Sequence, residues 1–401
     1  MDPATWQIKG HMMIYADYNA TAPCTPEHLA KVTELILQKD GNPSSIHYQG
    51  RRAKVALESA RKSVAWHFSA EPSEIIFMSG ATEVNNFILQ GTACHHFFPD
   101  CQETSKASVS HFIVSAGEHP SVFATREFLK KRNQVHLEVA PLLTSGEICL
   151  KQLLPLISDK TSLVSLIYVN NETGIMSNLQ EIVVQIRKKS PTCHIHIDAV
   201  QAFGKIDMRW MGPSGVDSAV VSGHKVGALK GIAALYLKKS VRLGTIIVGG
   251  GQERGRRAGT ENMPGIFSLG LRSDDLRDNS EVMARLGRLW KTLWDNLSTI
   301  SGVSLHGDPT CSTKNTVNFH MSGIQGEILM LKLDAAGIAV STGSACSSGT
   351  PKPSHVLKSM GFSDFESANS IRISLGASTT EDDIQEIVRV IRTVADQRKA
   401  V

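Results

Sequence analysis

The chain has 401 residues, of which 41% are apolar and 20% are charged, and these proportions are ordinary for a globular enzyme with room for two domains. No stretch reaches the ~18 to 20 uninterrupted apolar residues that a membrane span requires. The net charge of +4 comes without a block of like charges. We therefore expect neither a membrane nor a nucleic acid as a partner.

The cysteines limit the class of protein further. The chain has seven, with no Cys-x-x-Cys pair and no His/Cys cluster of zinc-ligand spacing, so we expect no metal site. Scattered cysteines fit a reducing compartment. Residues 1–11 hold no apolar core of signal-peptide length. The sequence therefore predicts a cytoplasmic protein.

The N-terminal part of the chain alternates predicted strands and helices. Residues 13–16 predict a short strand, and apolar residues at helical spacing follow in 29–36 and in about 51–67. Residues 75–78 predict a buried strand, which ends in the small residues 79–82 before another helix. Small residues at such a turn allow backbone N–H groups and the helix dipole to bind a phosphate.

Four more apolar strands follow, over about residues 112–115, 163–169, 194–198 and 218–221. Polar residues follow the carboxyl ends of all five strands: Thr82, His119, Asn171, Asp198 and Lys225. Ligands of open α/β sheets bind at this edge. The pattern predicts one site that these residues share.

Lys225 and Asp198 indicate the chemistry of that site. Burial between two strands lowers the pKa of a lysine, which must lose its proton before it attacks an aldehyde or acts as a base. Asp198 lies 27 residues earlier (225 − 198), one αβ unit away. A carboxylate there can keep the pyridine nitrogen of pyridoxal phosphate (PLP) protonated. The alternatives are a lysine that reaches solvent and an aspartate that caps a helix.

Two motifs resemble the class-V aminotransferase group, and specifically its NifS/IscS-like cysteine desulfurases: Asp198-Ala199-Val200-Gln201 and Ser222-Gly223-His224-Lys225. Further matches occur in family order over nearly the whole chain, at residues 17–21, 41–45, 79–83, 118–119, 170–174, 249–262 and 343–346. The resemblance implies the α/β fold of type I PLP-dependent transferases, with a large, mostly parallel sheet domain over residues 26–264. A smaller, discontinuous α+β domain would cover residues 12–25 and 265–401.

The resemblance also implies the cofactor site. Lys225 would carry PLP, His119 would stack on the ring and shuttle protons, and Ala81 and Thr82 would hold the phosphate. Asn171 would contact both the cofactor's phenolic oxygen and the substrate carboxylate. The full implied set is Ala81, Thr82, His119, Asn171, Asp198, Gln201, Ser222, His224, Lys225 and Thr260. The alternative for His119 is a surface histidine.

Residues 249–262 contain three arginines among glycines, a composition that also occurs in RNA-binding segments. By resemblance this segment instead reaches across a homodimer, where Thr260 touches the phosphate of the neighbouring subunit. The dimer interpretation is favoured, because no aromatic residues lie among the arginines to stack on bases.

The C-terminal part predicts long helices around a smaller sheet, with two chemical features. Cys346 lies in a run of small residues, 341–349, which predicts a mobile, partly exposed thiol and resembles the group I form of the family. Arg372 is embedded in an apolar strand, where its fork suits capture of a carboxylate, although a salt bridge at the strand edge is the alternative. By resemblance, the substrate-binding residues are Asn42, Asn171 and Arg372.

These features together predict a PLP-dependent cysteine desulfurase whose catalytic residues are Lys225, Cys346 and His119. It would convert L-cysteine to L-alanine, leave a persulfide on Cys346, and pass the sulfur to an acceptor such as an iron-sulfur scaffold protein. A selenocysteine lyase or a related PLP lyase is one alternative. A non-catalytic sulfur-carrier scaffold is the other.

Overall fold

The computed structural model describes residues 7–8, 11–93, 109–131, 135–342 and 353–399. The strands are β1 (Gln7–Ile8), β2 (His11–Met12), β3 (Ile14–Tyr15), β4 (Ile75–Met78), β5 (Ser110–Ser115), β6 (Val135–Ala140), β7 (Thr161–Ile167), β8 (His194–Asp198), β9 (Ser218–Ser222), β10 (Ala233–Leu237), β11 (Val303–Leu305), β12 (Thr316–Met321), β13 (Ile338–Ala339), β14 (Ser341–Thr342) and β15 (Ser370–Ser374). The α-helices are α1 (Pro26–Gln38), α2 (Tyr48–Trp66), α3 (Ala81–Ala93), α4 (Pro120–Lys131), α5 (Leu150–Leu156), α6 (Leu179–Lys189), α7 (Met263–Asp275), α8 (Ser280–Ser298), α9 (Gly326–Ala335), α10 (His355–Ser359), α11 (Asp364–Ala368) and α12 (Glu381–Lys399).

A seven-stranded sheet forms the centre of the larger part, in the order β4-β10-β9-β8-β7-β5-β6. Strands β9, β8, β7, β5 and β6 pair in parallel, whereas β10 is antiparallel to both of its neighbours. Strand β4 therefore runs in the same direction as β9. The predicted α/β class with a mostly parallel sheet is confirmed.

Both faces of this sheet are covered, as the continuous apolar strands predict. Side chains of a strand alternate between its two faces. In β4, Ile75 and Phe77 join the core that also contains α2, α6 and α7, whereas Ile76 and Met78 join the core beneath α3 and α4. Among the described helices, none has the length and apolarity of a membrane span.

The connection from β8 to β9 departs from the prediction. An αβ unit was expected between Asp198 and Lys225, but residues 199–217 form successive turns without an α-helix. One of these turns contains Gly204, whose φ of 71° lies in the left-handed region that favours glycine. The two parallel strands are still adjacent, so the ends that carry Asp198 and Lys225 remain neighbours.

The smaller part has an antiparallel sheet in the order β11-β12-β15-β14. Helices α8, α9 and α12 share its core, and α8 buries one apolar stripe that consists of Leu286, Leu289, Trp290, Leu293 and Leu297. Strand β3 pairs with β13, and Ala16 enters the same core. Helix α7 spans the predicted boundary at residue 264 and packs on α1 and α2 of the larger part.

Candidate active site

The candidate residues follow strand ends at one edge of the large sheet. Strands β4, β5, β7, β8 and β9 share one direction, so their carboxyl ends face the same side. Asp198 ends β8, and Lys225 follows β9 directly. The ends of β4, β5 and β7 lead to Thr82, His119 and Asn171 respectively.

Lys225 lies in a short 3-10 turn, Gly223–Lys225, immediately after β9. Its Nζ donates hydrogen bonds to the backbone oxygens of Asn19 (2.7 Å) and Ala20 (2.9 Å). The N-terminal segment therefore crosses the site and contacts the lysine. The alternative of a lysine that simply reaches solvent does not match these contacts.

Asp198 is buried, and two hydrogen bonds fix its carboxylate. Oδ1 accepts the backbone N–H of Val200 (3.1 Å), and Oδ2 accepts the side-chain amide of Asn85 (3.1 Å). The bond to the residue two positions later is a local turn of the Asx type. Because no α-helix follows, the helix-capping alternative for Asp198 is wrong.

The imidazole of His119 has a defined tautomer. The backbone N–H of Ser121 donates to His119 Nδ1 (3.1 Å), so this nitrogen is an acceptor. Burial lowers the pKa of His119, and the charge of Lys225 acts in the same direction, whereas Asp198 opposes both. The ring is therefore neutral at neutral pH, with its proton on Nε2.

A buried chain of hydrogen bonds connects Asp198 to His119. The Asn85 amide donates to Asp198 and to Ser121 Oγ (2.9 Å), and Ser121 Oγ contacts His119 Nδ1 (2.9 Å). Asn85 Oδ1 accepts from His196 Nε2 (3.0 Å). Burial lowers the pKa of His196 to about 3, so its ring is neutral, and the amide oxygen of Asn85, which can only accept, places the ring proton on Nε2. This bond fixes the orientation of the Asn85 amide.

We expect Asn85→Asp to lower the free energy of unfolding by about 3–5 kcal/mol at neutral pH, because it buries a second carboxylate against Asp198. Burial and the like charge raise the pKa of the new carboxyl above its value in the unfolded chain. The loss of unfolding free energy relative to the wild type should therefore be largest above that raised pKa and should shrink as the pH falls. Urea unfolding at mildly acidic and mildly alkaline pH measures it.

Asn86→Asp is the matched control, since Asn86 lies on the same helix and its side chain bonds only within that helix, to the Thr82 backbone oxygen (2.9 Å) and to Gln90 Nε2 (2.9 Å). It should change stability by less than about 1 kcal/mol. Equal, pH-independent losses in both variants would contradict the network.

Asn19 is a residue that the sequence analysis did not identify. Its side chain donates to the backbone oxygen of Asn171 (3.1 Å), and its own backbone oxygen accepts from Gln201 Nε2 (3.0 Å) as well as from Lys225. Lys205 Nζ contacts Asn19 Oδ1 (3.3 Å) and Gln201 Oε1 (2.8 Å). Burial, and then the charges of Lys225 and Arg372, lower the pKa of Lys205 to about 7. The site therefore contains a second amine besides Lys225, and this second amine, that of Lys205, titrates near neutrality.

Arg372 is buried beside this group. Nη2 pairs with Asp17 Oδ1 (2.6 Å), and Nη1 donates to the backbone oxygen of Asn171 (3.1 Å). Its Nε is buried without a hydrogen-bond partner among the described residues. The salt bridge that the sequence left as an alternative is thus present, and the guanidinium nevertheless lies at the site.

The turn after β4 is open. Helix α3 begins at Ala81, and Thr82 is exposed. A side chain built on Gly80 would meet nothing within 4 Å, which leaves room in front of the helix N-terminus. Glu83 folds back instead, accepting from the Ser79 backbone N–H (2.9 Å) and pairing with Arg257 (2.9 Å).

The segment that carries Thr260 is attached to the same strand. Glu253 forms a buried, bidentate pair with Arg61 (2.7 and 2.9 Å) and accepts the backbone N–H of Phe77 (3.0 Å). Thr260 is exposed and lines a cleft together with Ser79 and Arg257. The structure therefore brings Thr260 close to the turn after β4.

Cys346 lies outside the described residues, but both chain segments that flank it reach the site. Ser341 Oγ contacts Asp17 Oδ2 (3.0 Å), whose other oxygen pairs with Arg372. On the far side, Ser354 Oγ donates to Glu172 Oε2 (2.5 Å), and His355 Nε2 donates to the Glu118 backbone oxygen (2.9 Å).

The remaining candidates are placed less uniformly. Ser222 is buried at the end of β9. His224 contacts Thr21 Oγ1 (3.3 Å), and burial lowers its pKa to about 4. Asn42 is exposed in the loop between α1 and α2. Its side chain accepts a hydrogen bond from the Ser44 N–H (2.9 Å), as in an ordinary Asx turn.

Comparisons with known proteins agree with this architecture. The family model described as aminotransferase class-V matches residues 14–387. The chain is 36% identical to "Cysteine desulfurase 2" of Trichormus variabilis over 395 residues, 97% of this chain and 94% of the relative. It is also 36% identical to "Cysteine desulfurase IscS" of Clostridium botulinum over 393 residues, 96% and 95% of the two chains.

A solved structure of a "NifS-like protein" superposes with a TM-score of 0.86 at 31% identity, covering 96% of this chain and 100% of the other. The resemblance to NifS/IscS-like proteins and the type I fold are therefore confirmed. The model of the aminotransferase class-V family matches nearly the whole chain, so this protein belongs to that family.

Proposed function

We propose that the protein is a PLP-dependent cysteine desulfurase that releases L-alanine and retains the sulfur on Cys346. The observation that carries the proposal is the placement of Asp198 and Lys225 at the ends of two adjacent, parallel strands. The names of the curated relatives agree with it.

The residues present fit PLP. A buried carboxylate, Asp198, suits a protonated pyridine nitrogen, and the neutral ring of His119 is joined to it through Ser121 and Asn85. The open N-terminus of α3 beside Thr82 suits a phosphate. When bound, PLP supplies an electron sink that stabilises negative charge at the substrate Cα.

The amine of Lys225 is the group that moves the proton at Cα. Its two backbone partners, the Asn19 and Ala20 oxygens, hold Nζ at the strand end. Arg372 and the neighbouring Asn171 would orient the substrate carboxylate, with the Arg372 Nε as a donor that still lacks a partner among the described residues. Charge-assisted hydrogen bonds of this kind fix orientation as well as affinity.

Cys346 performs the sulfur transfer. Its thiolate forms an S–S bond with the substrate sulfur while the Cβ–S bond breaks, and the carbon skeleton takes up a proton to become alanine. The nearest described residue is Thr342, four positions away (346 − 342), and such a stretch spans at most about 14 Å when extended. The contacts of Ser341, Ser354 and His355 hold both flanks at the same edge as Lys225.

A visible spectrum of the purified protein, with and without L-cysteine, tests this function. We expect a cofactor band that changes when L-cysteine is added. A colourless protein would overturn the proposal and favour the sulfur-carrier alternative. A band that responds to L-selenocysteine but not to L-cysteine would favour the lyase alternative.

We further propose a homodimer in which Thr260 serves the phosphate of the neighbouring subunit, because Thr260 is exposed on a segment outside the five strands; action in cis at its own turn after β4, whose Ser79 lines the same cleft, is the alternative. Subunits with Lys225→Ala and subunits with Thr260→Ala should both be inactive alone. At equal mixing, half of the dimers contain one subunit of each kind, and one of the two sites in each of these dimers is intact. The mixture should therefore recover up to about a quarter of the activity of the wild-type protein. With subunit exchange verified by mass, no recovery would contradict action in trans.

The acceptor of the sulfur would be a protein such as an iron-sulfur scaffold, in the cytoplasm. The free cysteines among the described residues, Cys24, Cys149, Cys193 and Cys311, are compatible with that reducing compartment.

A further inference from the structure

Three metal-ligating side chains share one face at the far edge of the large sheet, where β6 is the last strand. His111 of β5 and His136 of β6 are register partners, so their side chains point to the same face. Glu138 lies two residues after His136 and therefore on that face as well. His111 and His136 are each the second residue of their strand, so they lie away from the edge that carries Asp198 and Lys225, and Glu138 lies midway along β6.

The geometry of the three side chains suits a metal ion. One ligand atom from each residue lies within 4.8 Å of the other two. His111 Nε2 is 2.8 Å from Glu138 Oε2, and the two imidazole rings stack with centroids 5.4 Å apart. Tetrahedral zinc with bonds of about 2.0–2.1 Å requires ligand atoms about 3.3 Å apart. Small side-chain rotations reach this spacing without moving either strand.

The second nitrogen of His111 is already oriented. Nδ1 contacts Thr161 Oγ1 (3.1 Å), and Thr161 is the register partner of His111 on β7. The Ser158 backbone N–H in turn holds that hydroxyl (2.9 Å). Metal-ligating histidines generally have such a partner on the other nitrogen, which fixes the ring. A register shift between His111 and Phe112 also lies here, and β-bulges commonly re-aim side chains.

We propose that His111, His136 and Glu138 bind a divalent transition-metal ion of the zinc type, with a fourth position open to water. Two imidazoles and one carboxylate favour such an ion over magnesium or calcium, which prefer oxygen ligands. The bound ion ties β6, an edge strand, to β5. This site departs from the expectation of no metal, since the two histidines are 25 residues apart (136 − 111) and meet only through strand pairing.

Calorimetric titration of the cofactor-loaded protein with Zn²⁺ alone tests the site. We expect one ion per chain and a raised melting temperature in the wild-type protein. His136→Gln and Glu138→Gln should each weaken binding by more than ~100-fold, while Thr161→Val should weaken it ~10- to 100-fold and Thr161→Ser should restore it. Glu127→Gln, which removes an exposed carboxylate from α4, is the control and should bind as the wild type does.

Co²⁺ as a substitute ion identifies the ligands by its absorption spectrum. A spectrum without a thiolate-to-cobalt band agrees with nitrogen and oxygen ligands, whereas such a band would place the ion on cysteines and overturn the proposal. Undiminished Zn²⁺ binding in His136→Gln, or no binding by the wild type, would overturn the proposal and leave His111 and Glu138 as an ordinary hydrogen-bonded pair. Alanine formation from L-cysteine should be unchanged in these variants, so failure here is distinct from failure of the proposed function.

Discussion

Lys225→Ala is expected to lower alanine formation from L-cysteine by at least ~10²–10⁴-fold, because it removes the amine to which we assign the proton transfer. Borohydride treatment of the wild-type protein should fix the cofactor covalently to the peptide that contains Lys225, and the variant should show no such attachment. The measurements are alanine by chromatography and peptide mapping by mass spectrometry.

Lys205 provides a matched control for this result. Its Nζ contacts Asn19 Oδ1 (3.3 Å), while Lys225 Nζ contacts the Asn19 backbone oxygen (2.7 Å), so both amines share one neighbour. Burial lowers the pKa of Lys205 to about 7, which makes its amine a competent nucleophile near neutral pH. Lys205→Ala should keep the covalent attachment at Lys225. Labelled cofactor on the Lys205 peptide of the wild type would contradict the assignment.

Cys346→Ala is expected to keep the cofactor spectrum and to bind L-cysteine, yet to form almost no alanine or persulfide from it. A thiol sulfur leaves carbon poorly without a nucleophile to accept it, whereas a selenol leaves more readily. The variant should therefore still act measurably on L-selenocysteine. Cys346→Ser should also fail on L-cysteine, because its hydroxyl is scarcely ionised at neutral pH. Alanine released from each substrate by each variant gives the result.

Cys24→Ala and Cys311→Ala are the controls for Cys346. Both thiols are partly accessible, but burial raises the pKa of each and so lowers their thiolate fraction. Both variants should keep wild-type activity on L-cysteine. Undiminished alanine from Cys346→Ala would mean that another cysteine, or another reaction, is responsible.

The sequence predicts those parts of the fold and site that depend on local pattern. An apolar run followed by a polar residue marks a buried strand and its end, which is why Asp198 and Lys225 are recognisable in advance. Strand β10 is as apolar as the parallel strands, so its sequence does not show that it runs antiparallel to β9. Likewise, the connection between β8 and β9 is long enough for a helix but consists of turns. Such features depend on tertiary packing.

The residues that sequence reasoning missed act through long-range contacts. Asn19 meets Lys205 and Gln201 across more than 180 residues, and Asn85 meets Asp198 across 113. No spacing rule links such positions. A signal was nevertheless present for Asn85, since a polar side chain on the buried face of an amphipathic helix requires a partner.

The proposed reaction requires that sulfur leave L-cysteine by transfer to Cys346. A single-turnover reaction, quenched and analysed for alanine and for persulfide, measures this transfer. We expect alanine and protein persulfide in equal amounts, with the extra sulfur on the peptide that contains Cys346. Alanine accompanied by free sulfide, with no persulfide on that peptide, would contradict it.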